Sequence, residues 1–198
     1  MIIKECNKKD IERIVSIHLA AFNGFFLSSL GASFLRTYYK SYFYCPGAIL
    51  LSAIEDNQII GFAAAATKSR GFNKRLILNS LSAYMWQVIQ LLFTNPKAIL
   101  HLVKNMSKSS PHDNDRGEYG ELYSIAVAPN QQGKGVGRDL LKQVEKRARQ
   151  EGSVQFSITT DYYNNEKTIG FYNSMGYEVY YDFVAYPDRR MFRLIKHL

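Results

Sequence analysis

Residues 122–138, Leu-Tyr-Ser-Ile-Ala-Val-Ala-Pro-Asn-Gln-Gln-Gly-Lys-Gly-Val-Gly-Arg, constrain this chain more than any other stretch. An apolar run with strand character ends at Pro129 and a Gln/Gly loop follows. From Gly137 to Glu151 the pattern is helical, with Leu140, Leu141, Val144 and Ala148 on one face. The first turn of a helix leaves its N–H groups without internal partners, at the positive end of the dipole. Glycines at 133, 135 and 137 let that backbone approach an anion closely, so phosphate or pyrophosphate is the natural guest. The mononucleotide P-loop is excluded because no Gly-Lys-Ser/Thr follows, and G-x-G-x-x-G fails because residue 138 is arginine. A tight turn without a ligand is the bland alternative, but three alternating glycines exceed what a turn requires.

The rest of the chain alternates strands and helices. Strand character is expected at Met1–Glu5, Ala48–Glu55, Ile59–Thr67, Gly117–Ala128, Val154–Asp161, Tyr177–Val184 and Met191–Lys196. Helices are expected from about Lys8, over Ser29–Phe43, over Gly137–Glu151 and over Asn165–Met175. Asp56-Asn57 marks a hairpin turn. This order implies an α/β fold with a mixed α+β sheet in one domain spanning residues 1–198. With 198 residues, 46% hydrophobic and 21% charged, the composition is ordinary for a globular chain and excludes a wholly disordered one. Cys6 and Cys45 lack metal-ligand spacing and cannot make a disulfide framework. The four histidines are scattered, so no metal is expected. The charged start MIIKECNKKD is not a signal peptide, and a cytoplasmic protein is the default.

Residues 68–116 break the alternation. They are helical and basic, with an apolar stretch from Leu76 to Phe93, a further helix expected at 97–107 capped by Asn95-Pro96, and a surface loop after it. Eight Lys/Arg against Asp113 and Asp115 give this insertion +6 of the net +8. Asn79, Ser80, Gln87 and Gln90 interrupt any membrane-spanning reading. Three uses remain open: a helical cover or homodimer contact, a wall of a substrate pocket, or an amphipathic surface on a membrane. Nucleic-acid binding is not expected.

Gln132-x-x-Gly135-x-Gly137 resembles the Q/R-x-x-G-x-G/A motif of the GCN5-related N-acetyltransferases, the GNAT superfamily. Asn165-x-x-Thr168-x-x-Phe171-Tyr172-x-x-x-Gly176-Tyr177 is similar to that family's second motif, with threonine where alanine is usual. The resemblance covers most of residues 1–67 and 117–198. It implies a GNAT-like fold with the helical insertion between the third and fourth strands, and acetyl-CoA (coenzyme A) as donor. The pyrophosphate would then lie on Gln132, Gly133, Lys134, Gly135, Val136, Gly137 and Arg138. The pantetheine arm would pair beside Ile125, Ala126 and Val127, with Asn165 near the cofactor.

Acetyl transfer to an amine needs a neutral nucleophile, donors for the oxyanion and a proton for the leaving thiolate. The resemblance implies Glu121 as general base, directly or through a water, with Glu118 and Asp161 as weaker candidates. It implies Tyr172 as the acid and a backbone N–H near Val127 as the oxyanion donor. Phe22, Phe25 and Phe26, in the segment joining the first two helices, and Tyr162 or Tyr163 are expected beside the acceptor. The expected acceptor is a small-molecule amine, with an amino sugar or nucleotide-linked amino sugar favoured. Acetylation of a protein lysine or N-terminus, and a non-catalytic CoA-binding module, are the alternatives.

Overall fold

The computed structural model describes residues 1–96, 99, 115–185 and 188–198. The helix expected at 97–107 and most of the loop after it lie outside the described residues. Seven strands form one sheet: β1 (Ile2–Glu5), β2 (Ala48–Glu55), β3 (Gln58–Ala66), β4 (Gly120–Val127), β5 (Gln155–Asp161), β6 (Glu178–Ala185) and β7 (Arg189–His197). Their order is β1-β2-β3-β4-β5-β7-β6. Only β4 and β5 pair in parallel, and every other neighbouring pair is antiparallel.

Helices cover both faces. On one face lie α1 (Ile11–Ala21), the single turn α2 (Phe26–Ser29) and α3 (Gly31–Ser41); on the other lie α6 (Val136–Gln150) and α7 (Glu166–Ser174). Between β3 and β4 run α4 (Phe72–Leu78) and α5 (Leu81–Thr94). Burial follows the helical period. Ile11, Ile14, Val15 and His18 of α1 pack inward, as do Leu140, Leu141, Val144 and Ala148 of α6. Ala63 to Ala66 of β3 are fully buried, as expected for a central strand covered on both faces.

One expected helix starts two residues later than its pattern suggests, behind a separate short turn. The periodicity of Leu30, Phe34, Leu35 and Tyr38 suggests a single helix over 29–43, but Gly31 sits at φ +85°, which a continuous α-helix does not admit. The chain therefore makes a short α2, turns at Gly31 and resumes as α3, followed by a 3-10 turn at Tyr42–Tyr44.

Two irregularities in β4 position the site. Ala64 pairs with Ser124 but Ala65 pairs with Leu122, so Tyr123 is an extra residue. This bulge sends both Tyr123 and Ser124 toward the α1/α3 face. Pairing of β4 with β5 then covers only Gly120–Leu122 against Phe156–Ile158, and beyond it the two strands diverge.

Candidate active site

A cavity of about 990 Å³ fills the opening between β4 and β5. Its floor is Leu122 to Val127 of β4 on one side and Ile158 to Asp161 of β5 on the other. The register with β3 fixes where the β4 backbone points. Ala128 N–H donates to Ile60 O at 2.8 Å, which makes Phe62–Ala126 a hydrogen-bonded pair and leaves Gly61–Val127 and Ala63–Ile125 non-hydrogen-bonded. The N–H and C=O groups of Ile125 and Val127 therefore point away from β3, into the opening.

At one end the cavity meets the glycine loop. Gly133 and Gly135 have φ of +79° and +84°, and a Cβ at either would meet nothing within 4 Å. These glycines serve the backbone conformation and leave the outer surface of the loop open. The first main-chain bond of α6 is Asp139 N–H to Gly135 O at 3.1 Å, so the N–H groups of Val136, Gly137 and Arg138 precede the intrahelical ladder. Gln132 Nε2 donates to Val127 O at 3.3 Å and ties the loop to the strand end. An anion of pyrophosphate size fits this cradle chemically, because the donors are main-chain and Arg138 adds a cation beside them.

Of the residues expected on the cofactor side, Ile125 to Val127, Gln132, Gly133, Gly135 to Arg138, Asn165 and Tyr172 line the cavity. Lys134 does not; its ammonium donates to Gln131 Oε1 at 2.7 Å. Asn165 caps α7 with its side chain turned back, donating to Thr160 Oγ1 at 2.6 Å and to Asp161 O at 3.0 Å. Tyr172 is buried beside Phe171 and Tyr177, and burial pushes its phenol up to about 12. At neutral pH it holds its proton and has it to donate.

At the other end lie Ala21, Phe22 and Phe25. The rings of Phe22 and Phe25 meet edge-on at 5.5 Å, and the Arg189 guanidinium lies 4.5 Å from the Phe25 ring centre. Arg189 grips Asp161 in a two-point contact, with Nη2 to Oδ2 at 2.7 Å, and both residues line the cavity. Arg189 has no counterpart among the residues expected from sequence. It reaches the site because β7, not β6, lies beside β5.

Glu121 and Tyr162 do not line this cavity among the described residues, and Phe26 turns toward the packing between α3 and α5. Tyr162 stacks on Phe192 at 4.4 Å, with Arg190 over its ring. The Glu121 carboxylate is buried and shared: it accepts from Ser69 Oγ and from Arg193 Nη1, the latter at 2.9 Å. Arg193 also donates to Ser157 Oγ at 2.9 Å and to Tyr181 Oη at 3.0 Å. Tyr181 and Tyr119 both donate to Asp115. Tyr123 joins this network to the cavity: it lines the wall, and its phenol lies near Ser69 and Glu121. Its phenol is held well above the usual range by burial and the neighbouring carboxylate. Further along the face, Tyr39 Oη lies 2.6 Å from His18 Nδ1, and burial lowers the His18 pKa to about 4.

Comparison with known proteins bears on this arrangement. The pattern of the Acetyltransferase (GNAT) family matches residues 11–177. The mycothiol acetyltransferase of Kocuria rhizophila is 32% identical over 80 residues, which is 40% of this chain and 26% of that protein. The match thus spans about a quarter of that relative's length. A ribosomal-protein-alanine N-acetyltransferase from Brucella melitensis superposes over all of both chains with TM-score 0.66 at 17% identity. An N-acetyltransferase from Staphylococcus aureus superposes over 99% of this chain and 97% of its own with TM-score 0.66 at 14% identity. At such identities the structural likeness concerns the fold. The family match, the two sequence motifs and the opened β4–β5 pair lead to one conclusion: this chain belongs to the Acetyltransferase (GNAT) family.

Proposed function

We propose that this chain acetylates the primary amine of a small acceptor, with an amino sugar, free or nucleotide-linked, as the favoured class. The observation that carries the reading is one continuous cavity that begins at the glycine loop and ends among Phe22, Phe25, Asp161 and Arg189. A donor laid along β4 and an acceptor entering past the aromatic rings would meet inside it. Holding two reactants together removes much of the cost of a bimolecular step. The N–H groups of Val136, Gly137 and Arg138 would hold the pyrophosphate of acetyl-CoA. The inward N–H groups of Ile125 and Val127 would pair with the pantetheine arm and receive the developing oxyanion. The cofactor supplies the activated acyl group. Tyr172 would deliver a proton to the departing thiolate.

The geometry favours an indirect role for Glu121. Its carboxylate does not line the cavity, whereas Tyr123, two residues on, does. In this reading the Tyr123 hydroxyl takes the amine's proton as it passes its own to Glu121. Phe25, polarised by the guanidinium above it, offers an aromatic face to a sugar ring, and Arg189 offers a cation to an anionic substituent.

A thiol-release assay with acetyl-CoA against amino sugars, polyamines, amino acids and peptides tests the reading. Turnover is expected with amino sugars. Preference for a peptide amine would support protein acetylation instead, and tight CoA binding with no turnover on any amine would indicate a non-catalytic module. Glu121→Gln is expected to lower kcat about a hundredfold at neutral pH, with part of the loss recovered as pH rises and more amine is neutral. Full activity in that variant would remove Glu121 from the chemistry.

A further inference from the structure

Helix α5 is apolar on two sides. Its inner side, Tyr84, Gln87 and Leu91, packs on Leu30 and Phe34, with Gln87 Nε2 donating to Ser33 Oγ at 3.1 Å. Its outer side carries Leu81, Met85, Trp86, Ile89, Leu92 and Phe93, each 45–85% exposed. At about 100° per residue these six side chains fall within an arc of about 140°, interrupted only by Ser82. Leu78, 56% exposed, extends the patch to the corner where α4 turns by 91° into α5. A continuous patch of this kind marks an interaction surface, unlike apolar side chains scattered singly.

The charge around the patch selects its partner. Among the described residues from Asn57 to Pro96 there is no carboxylate and there are four cations, Lys68, Arg70, Lys74 and Arg75. Lys68 and Arg70 share Glu118, and Lys74 is exposed on α4. Two copies meeting through this face would bring like charges together. A surface that is negative at its rim and apolar beneath it satisfies both features. Among the described residues no single helix is long and apolar enough to cross a membrane. The 14 residues of α5 span only about 21 Å, against a hydrocarbon core of about 30 Å.

We propose that the outer face of α4 and α5 docks on an anionic lipid bilayer, with α5 lying in the plane of the interface and its apolar arc turned toward the acyl chains. Trp86 lies inside the arc and is the only tryptophan of the chain, so its emission reports this contact in the unmodified protein. Titration with vesicles of equimolar phosphatidylglycerol and phosphatidylcholine is expected to shift that emission to the blue and to carry the protein with floated vesicles. Pure phosphatidylcholine vesicles are expected to bind about tenfold more weakly or less, and high salt to release the protein. Met85→Ser combined with Ile89→Ser alters only exposed positions and is expected to abolish the shift while leaving circular dichroism unchanged. Lys74→Glu is expected to weaken partition about tenfold. Emission that is unchanged by anionic vesicles, or shifted equally by neutral ones, would overturn the proposal. So would a blue shift that grows with protein concentration alone, together with a dimer mass in sedimentation, which would assign the face to a second copy.

Discussion

At the proposed donor end of the cavity the groups presented are main-chain N–H groups, on a glycine loop, a helix start and the inward edge of β4. At the proposed acceptor end, and in the network behind it, the groups are side chains held by other side chains: Asp161 by Arg189 at the wall, and Glu121 by Arg193 and Ser69 set back from it. A main-chain site depends on φ and ψ, so it tolerates most substitutions and fails where glycine is lost. A site made of interlocked side chains depends on each partner, because removing one leaves the other buried and unsatisfied. The two ends should therefore fail in different ways, one through the reaction and the other through stability.

The largest expected effect tests the acceptor end. Arg193→Ala leaves Glu121 buried without its guanidinium and should cost about 3–5 kcal/mol of stability, read from urea unfolding. A loss below about 1 kcal/mol would show that the network is not interlocked. The next effect is a pH dependence. His18 titrates near the ordinary histidine value of 6.5 when unfolded and near about 4 when folded, so the unfolded chain binds more protons between those values. Stability from this group is full above about pH 6.5 and falls as pH drops toward 4, by up to about 3 kcal/mol. A His18→Phe variant should lose that part of the slope; an unchanged slope would place the titration elsewhere. At the donor end, Gly135→Val forces a β-branched residue to φ +84° and should lower kcat/KM for acetyl-CoA about a hundredfold, with a stability loss of only about 1–2 kcal/mol. A stability loss as large as that of Arg193→Ala would erase the contrast. The smallest effect is Tyr172→Phe, which should lower kcat about tenfold and leave both KM values nearly unchanged; an unchanged rate would remove the acid role.

The same contrast explains what can be read from the amino-acid sequence. Strands and helices appear within one to three residues of their expected limits over most of the described chain, because period-2 and period-3.6 patterns are local. The donor end is legible for the same reason, since its loop and helix start lie within residues 125–138. At the proposed acceptor end Phe22, Phe25 and Asp161 can be named from the sequence, but Tyr123 and Arg189 cannot, because the sheet order and the β4 bulge bring them to the same cavity. Glu121 can be picked out as an acid before the glycine loop. Its partner Arg193 is 72 residues away, and nothing local marks the pair. Gly31 is plain in the sequence, but an apolar rhythm that continues across it conceals the break.

The placement of β7 between β5 and β6 bears on how the enzyme comes into being during synthesis. β7 follows every other strand in the chain, yet it carries Arg189 to the cavity and Arg193 to Glu121. A nascent chain that has emerged only as far as α7 already holds the glycine loop and the β4 edge, but not these two arginines. The two arginines that hold Asp161 and Glu121 thus leave the ribosome after the glycine loop and the β4 edge, and the site is completed only with the last strand.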